Sequence, residues 1–395
     1  MKRNISTYSF ISLLLMSFFG SQLTAQELVR PVITGAPFLQ VVPDARSGGM
    51  GEVGVASLGD NFSQFHNPAK FLFMEGESSG VGLSYIPQFV GYADDIFHAQ
   101  AGYFQKLNER SALSGSLTYF SFGNVDLEEE QAGQIINTGS FVPNELALEA
   151  AYSLKLNEYF GMAVTGRYIR SDITDNQMNS TLRLKTGQAV AADVSGYYIS
   201  NPFTHANKWT AGFALKNVGS KLEYANESGY EYPLPTSLKL GGGYHIATGE
   251  NDYISFYGEA LKYLVPATDD QRNLSQNSAI GGIFNSFTDA PGGFSEEMKE
   301  MIWSLGSEIN LNNSLQLRTG YITQSGEKGF RNHVTFGLGM NWEGFNFDFA
   351  YQSPVIKNVS FDNDKVMKFS LSYMFGSTPG RSTLDPARNE QISAR

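Results

Sequence analysis

Glu145 to Ser171 reads by twos. Leu146, Leu148, Ala150, Tyr152, Leu154 and Leu156 share one parity, and Ala147, Glu149, Ala151, Ser153 and Lys155 share the other. After a short polar turn, Asn157–Tyr159, the alternation resumes with Phe160, Met162, Val164, Gly166 and Tyr168 opposite Gly161, Ala163, Thr165 and Arg167. Side chains alternate across a strand, so a period of two means one apolar face and one polar or small face. Two such runs joined by a tight turn predict an antiparallel hairpin. Each run is about ten residues, long enough to cross a bilayer when tilted.

The same signal recurs to the end of the chain in about fourteen runs, near 80–86, 97–106, 112–122, 145–156, 160–171, 188–199, 208–218, 236–246, 252–262, 301–310, 314–323, 332–342, 344–352 and 366–375. Phe345, Phe347, Phe349 and Tyr351 oppose Asn346, Asp348, Ala350 and Gln352, and Val334, Phe336, Leu338, Met340 and Trp342 oppose Thr335, Gly337, Gly339 and Asn341. Connection length sorts by strand parity. Lys106–Ser111, Asn157–Tyr159, Ala247–Asn251, Leu311–Asn313 and Glu343 are short, whereas Asn124–Asn144, Asp172–Gly187, Gly219–Pro235 and Tyr263–Glu300 are long. Short turns on one side and long loops on the other are how outer-membrane barrels are built, whereas a soluble β-sandwich array has no reason to sort its loops this way. The expected fold is all-β, a transmembrane antiparallel β-barrel of about fourteen strands with both termini on the periplasmic side. A short helix is predicted over Ser295–Trp303, with Ser295 as N-cap and Glu296 and Glu297 in its first turn.

Composition agrees. The chain is 42% hydrophobic and 13% aromatic, yet past the N-terminus no window has the 18 or so apolar residues of a membrane helix. Residues 1–25 read as a signal peptide: Lys2 and Arg3, an apolar core from Ile5 to Phe19, and Leu23-Thr24-Ala25 before Gln26. Residues 26–79 lack the alternation and are expected to plug the barrel, which is assigned 80–376. The polar, Pro- and Gly-broken 377–395 is expected to be a disordered periplasmic tail. The absence of Cys fits an oxidising envelope compartment and excludes a lipoprotein anchor and thiolate metal sites. A net charge of −11 argues against nucleic acid as a partner.

No motif carries chemistry. Gly49-Met50-Gly51-Glu52-Val53-Gly54 satisfies G-x-G-x-x-G, but without the strand before and helix after that a dinucleotide site needs, so its glycines are read as close-packing devices. The five histidines, His66, His98, His205, His245 and His333, have no ligand spacing. Asp94-Asp95 and Glu128-Glu129-Glu130 fall in outer loops, where solvated charge is the default. Glu149, Lys155, Arg167, Asp193, Lys216, Arg318 and Asp348 take inward parity, and mutual pairing is expected of them. No catalytic, cofactor-binding or metal-binding residue is assigned, and no cofactor is expected.

PDARSGGMGEVGVAS (43–57), NPAK (67–70), LTYFSFG (117–123), PNE (143–145), RYIRSD (167–172), AADVSGYY (191–198), NVGSK (217–221) and LKYLVP (261–266) together resemble the PorV family of Bacteroidota type IX secretion outer-membrane proteins, within the FadL-like barrels. The resemblance runs from about Ala36 to Phe375. One departure is Gln88, where the family pattern implies a Trp after Pro87. The resemblance implies a non-enzymatic role. Such a protein meets the type IX translocon barrel, receives cargo by its C-terminal signal domain, and delivers it to the surface sortase complex. It gives no residue-level cargo site. The long loops supply candidate contacts for cargo or translocon, namely Phe141, Tyr224, Tyr230, Tyr232, Leu264, Phe284, Phe287 and Phe294, expected to be exposed or to form a lid. Two other functions compete: a FadL-like importer of hydrophobic molecules, and a lipopolysaccharide-modifying enzyme. The enzyme lacks any nucleophile–base–acid set.

Overall fold

The computed structural model describes residues 33–377, apart from 75–76, 89–94, 132, 174–184, 205, 226–230, 250, 266–280, 282, 284, 287–292, 327, 329–330 and 356–364. The expected signal peptide and C-terminal tail lie outside the described residues.

The strands are β1 (Glu77–Pro87), β2 (Ile96–Lys106), β3 (Ser111–Phe122), β4 (Val125–Gln131), β5 (Gln134–Phe141), β6 (Asn144–Lys155), β7 (Phe160–Asp172), β8 (Gly187–Ile199), β9 (Lys208–Gly219), β10 (Leu222–Glu223), β11 (Glu231–Tyr232), β12 (Ser237–Ala247), β13 (Tyr253–Tyr263), β14 (Ile302–Leu311), β15 (Leu315–Thr323), β16 (Asn332–Trp342), β17 (Phe345–Pro354) and β18 (Val366–Ser377). Fourteen of them close an antiparallel barrel, with β1 sealing against β18. β4–β5 and β10–β11 are separate two-stranded ribbons within long connections. The fourteen runs read from the sequence are the fourteen barrel strands.

Alternation sets the wall. On β6, Leu148, Tyr152 and Leu154 are exposed on the outside while Ala147, Glu149, Ala151 and Ser153 are buried inside. Aromatic pairs lace the outer surface between β17 and β18: Phe349–Phe369 at 5.4 Å and Phe345–Tyr373 at 4.5 Å between ring centres. Such pairs contribute about 0.5–1.5 kcal/mol each beyond their burial. Trp209, Tyr244, Trp342 and Phe345 lie near the short-turn end, and Tyr85, Phe97, Tyr119 and Trp303 near the long-loop end. These are the two aromatic girdles of a membrane barrel. At the short end, Asn312-Asn313 and Glu343-Gly344 both take positive φ, the pattern of a type I′ hairpin turn.

Two long connections differ from their reading as loops. The Asn124–Asn144 stretch pairs with itself as β4–β5. The helix expected at Ser295–Trp303 spans Phe294–Glu300 (α3), with Gly293 at the N-cap position and no side-chain cap. Trp303 belongs instead to β14, because the alternating Ile302–Leu305 run is claimed by the wall.

Residues 33–74 fill the lumen as a plug. A 3-10 turn, Pro37–Gln40, is followed by α1 (Ala45–Gly48), α2 (Ser63–His66) and a 3-10 helix, Pro68–Phe73. Asp44 caps α1 by accepting from the Ser47 N–H, and Asn67 caps the last turn by accepting from the Ala69 N–H. The Gly-rich stretch packs backbone against backbone, as expected. A Cβ on Gly49 would stand 2.7 Å from the Gly337 Cα, and one on Gly320 would stand 2.1 Å from the Gly51 nitrogen. Apolar clusters seal both ends: Phe71, Leu72 and Phe73 with Phe104 and Tyr197 toward the short-turn end, and Phe38 and Leu39 with Ile169, Leu222 and Leu234 toward the long-loop end.

Candidate functional site

The plug is held by ion pairs whose members come from opposite parts of the chain. The Arg46 guanidinium donates to both Glu308 oxygens on β14, at 3.0 and 2.9 Å, and to Asp60 at 2.8 Å. Glu308 also receives Arg318 of β15 at 2.6 Å, and Arg318 reaches Asp348 of β17 at 2.6 Å. A second anchor is Glu52, paired with Arg331 at 2.8 Å and Lys368 of β18 at 3.1 Å. Burial pushes the Glu52 carboxyl up, but Lys368 and Arg331 outweigh it and hold it well below the usual carboxylate range. A third is Glu259 of β13, which binds Lys239 of β12 at 2.9 Å and accepts the plug N–H groups of Gly54 and Val55 at 2.8 and 2.9 Å.

Within the plug, His66 Nε2 lies 2.8 Å from Asp44 Oδ2, and its Nδ1 has no partner. The geometry therefore puts the proton on Nε2. Burial pulls the imidazole pKa down against the attraction of Asp44, so the ring is neutral at pH 7. Lys70 is wholly buried; burial brings its ammonium down to about 8, and it donates to the Gly54 carbonyl at 2.8 Å and the Ser57 hydroxyl at 3.0 Å.

Five of the seven residues read as inward-facing are buried, Glu149, Arg167, Asp193, Lys216 and Arg318, and Asp348 is half-buried. Arg167 links Glu149 and Asp193 at 2.9 and 2.8 Å. Lys155 sits at the short-turn rim over the rings of Phe73 and Phe203. Arg46, Glu52 and Lys70, the plug's own charged anchors, were missed because that segment has no periodicity. Their signal was available: a charge in a segment expected inside a barrel needs a countercharge on the wall.

The loop candidates fall in three groups. Tyr224 and Leu264 are buried rather than exposed. Tyr224 packs on Ala36, Phe38 and Leu222 and donates to the Ser171 hydroxyl at 2.8 Å, with half-buried Tyr232 against it at 5.9 Å between ring centres. The reason is that β10–β11 folds over the plug turn, and the Gly35 N–H donates to the Pro233 carbonyl at 2.8 Å. Phe141 is half-buried at the base of β5. Tyr230, Phe284 and Phe287 lie outside the described residues, as does the side chain of Phe294. The sequence reading missed Ile135 and Ile136, exposed on the projecting β5 strand beside the acidic β4.

A closed fourteen-strand barrel with an apolar outer wall, two aromatic girdles and an ion-paired N-terminal plug has the architecture of an outer-membrane β-barrel. Residues 24–270, more than half of the chain, match the family model described as "Type IX secretion system protein PorV", and the chain belongs to that family. It is accordingly an outer-membrane protein of type IX secretion. Among solved structures, the CymD monoaromatic hydrocarbon channel matches at TM-score 0.51 and 13% identity, covering 85% of this chain and 98% of that one. The TodX deltaS2S3 mutant monoaromatic hydrocarbon channel matches at TM-score 0.50 and 13% identity, with the same coverage. A likeness at such identity speaks to the fold alone. No curated protein sequence matches the chain.

Proposed function

We propose that this protein is a non-enzymatic carrier. It receives secreted proteins by their C-terminal signal domain at the type IX translocon barrel and hands them to the surface sortase complex, with no cofactor. The observation that carries this reading is the family match, and the outer face is consistent with it. The β4–β5 ribbon stands clear of the barrel with its backbone edges open and Ile135 73% exposed. An open strand edge is suited to pairing with a β-rich domain. Phe141 at the ribbon's base belongs to the proposed contact set, with Tyr230, Phe284, Phe287 and Phe294 as its further candidates, while Tyr224 and Tyr232 pack on the plug turn.

The importer reading takes its support from the hydrocarbon channels' fold. It requires a continuous apolar path. Among the described residues the lumen is instead crossed by the Arg46–Glu308–Arg318–Asp348 and Glu52–Lys368 links. The test is a clean deletion and a pull-down from detergent-solubilised outer membranes. Retention of cargo in the periplasm and recovery of the translocon barrel are expected. Normal secretion in the deletion strain would reject the reading.

A further inference from the structure

A lysine sits on the wrong face of the wall at the long-loop end of β13. Phe256 is exposed on the lipid side, Ala260 pairs with the exposed Trp303, and Leu261 and Tyr263 line the lumen. Alternation therefore gives Lys262, opposite Leu238, the lipid-facing parity that apolar residues normally fill. Yet Lys262 is buried. α3 covers it, and the Lys262 ammonium donates to Glu297 and Glu300 at 2.6 Å each. The helix is fastened a second time from the β15–β16 turn, where buried Lys328 donates to Glu296 at 2.8 Å and to Glu300 at 3.0 Å. Among the described side chains of α3 only Glu300 is buried, and Met298 is exposed. Without a buried apolar stripe, such a helix is seated by its charge partners rather than by packing.

The β15–β16 turn connects this helix to the plug. Within the turn the Gln324 N–H donates to the Arg331 carbonyl at 2.8 Å and the Lys328 N–H to the Ser325 carbonyl at 3.0 Å. The Gln324 side chain also donates to the Lys328 carbonyl at 3.4 Å, so Lys328 and Arg331 are carried by one hydrogen-bonded unit. The Lys328 ammonium meets α3, whereas Arg331 turns to the lumen and donates to Glu52 of the plug at 2.8 Å. Glu52 also accepts from Lys368 and from the Gln352 amide, both at 3.1 Å. Those two side chains donate in turn to the plug carbonyls of Val42 and Gly48. Contacts therefore run from α3 through Lys328, the turn and Arg331 to Glu52. Arg331 is the link best placed to let go, since its side chain is 33% exposed and that of Lys368 is 2% exposed.

We propose that α3 is a latch on the plug. Seated, it holds the β15–β16 turn so that Arg331 grips Glu52; lifted from the flank of β13, it frees the turn, and the plug loosens. The latch stands on these contacts and not on the carrier reading. The test uses purified full-length protein in detergent with Val53→Cys, a single thiol at a plug position 1% exposed, and reads its maleimide labelling rate. Trypsin cleavage after Lys299 reports release of α3 in the same samples. Lys262→Met, which unfastens α3 from the wall, and Lys328→Met should each quicken labelling about tenfold, while Lys328→Arg should stay within about twofold of the parent. Arg331→Met should quicken labelling at least as much. Adding Lys262→Met or Lys328→Met to it should change the rate less than about twofold further, because a latch acts only through that grip. Arg170→Met, which removes an ion pair to Asp172 at the rim of β7, should label at the parent rate. A variant that fails to assemble shows itself by losing heat-modifiable migration, and Glu300→Gln, which breaks pairs to both lysines from the helix side, then takes its place. Unchanged labelling in Lys262→Met and Lys328→Met overturns the proposal, whether or not trypsin finds Lys299 freed. So do effects of Lys328→Met and Arg331→Met that multiply in the double variant.

Discussion

Glu308→Gln replaces one oxygen by an amide and leaves volume almost unchanged, so its effect reports charge. Glu308 is wholly buried and is shared by two guanidiniums, Arg46 of the plug and Arg318 of the wall, with the Tyr253 hydroxyl donating at 3.2 Å. Neutralising it leaves Arg46 with the partly exposed Asp60 and the Leu58 carbonyl, and Arg318 with Asp348. Removing one partner of a buried pair costs about 3–5 kcal/mol, since the remaining charge is stranded. Arg318 belongs to the wall and keeps its second partner, so about 4 kcal/mol falls on plug docking. At 1.4 kcal/mol per decade, the undocked population rises about a thousandfold. The chain has no Cys, so Val53→Cys, at a plug position 1% exposed, gives a single reporter thiol. Its maleimide labelling rate in outer-membrane vesicles should rise by about three decades in Glu308→Gln, while the barrel keeps its heat-modifiable migration on gels. The double replacement Arg46→Met/Glu308→Leu should restore much of the slow labelling, because an apolar pair of similar volume removes the buried plug charge itself, Arg318 keeps Asp348 and Asp60 is partly exposed. A labelling rate within threefold of the parent in Glu308→Gln would refute the idea that this pair holds the plug.

Three further outcomes use the same reporter or the membrane directly. Gly320→Ala places a Cβ against the Gly51 backbone, which cannot yield as a side chain would, so plug labelling should accelerate by about one to two decades, as overpacking costs about 1–3 kcal/mol. His66 has a folded pKa below its unfolded value near 6.5, so the folded state binds fewer protons there. Its contribution is complete above about pH 6.5 and is lost as pH falls through the folded value. Labelling relative to the same thiol in the denatured protein at each pH, which cancels the thiolate fraction, should therefore quicken between pH 7.5 and 5.5, and His66→Gln, which keeps a neutral donor toward Asp44, should flatten that dependence. Phe336→Arg puts a cation on the lipid face where the ring is 56% exposed, and should cost about 2–4 kcal/mol in urea titrations of the barrel refolded into liposomes.

The wall was legible in advance because alternation is a local property. Each residue of β6 or β16 is lipid-facing or lumen-facing by parity alone, and no distant residue is needed to decide it. Loop length by parity likewise agreed with the antiparallel order of the barrel. The inward set, from Glu149 to Asp348, followed from the same parity. The ribbon β4–β5 was not legible as paired strands, because Glu128 to Gln131 carries no apolar alternation and its pairing depends on Gln134 to Phe141 folding back onto it.

The sequence by itself determined that every second side chain of fourteen segments faces lipid and that the N-terminal segment stays off the wall. Only the tertiary structure decided which wall charges the plug uses, that Tyr224 and Leu264 turn inward, and that β9 bulges at Lys216 and Asn217. The physical reason is range. Strand parity is set within two residues, whereas the Arg46–Glu308 pair joins positions 262 residues apart, and only closure of the barrel brings them together.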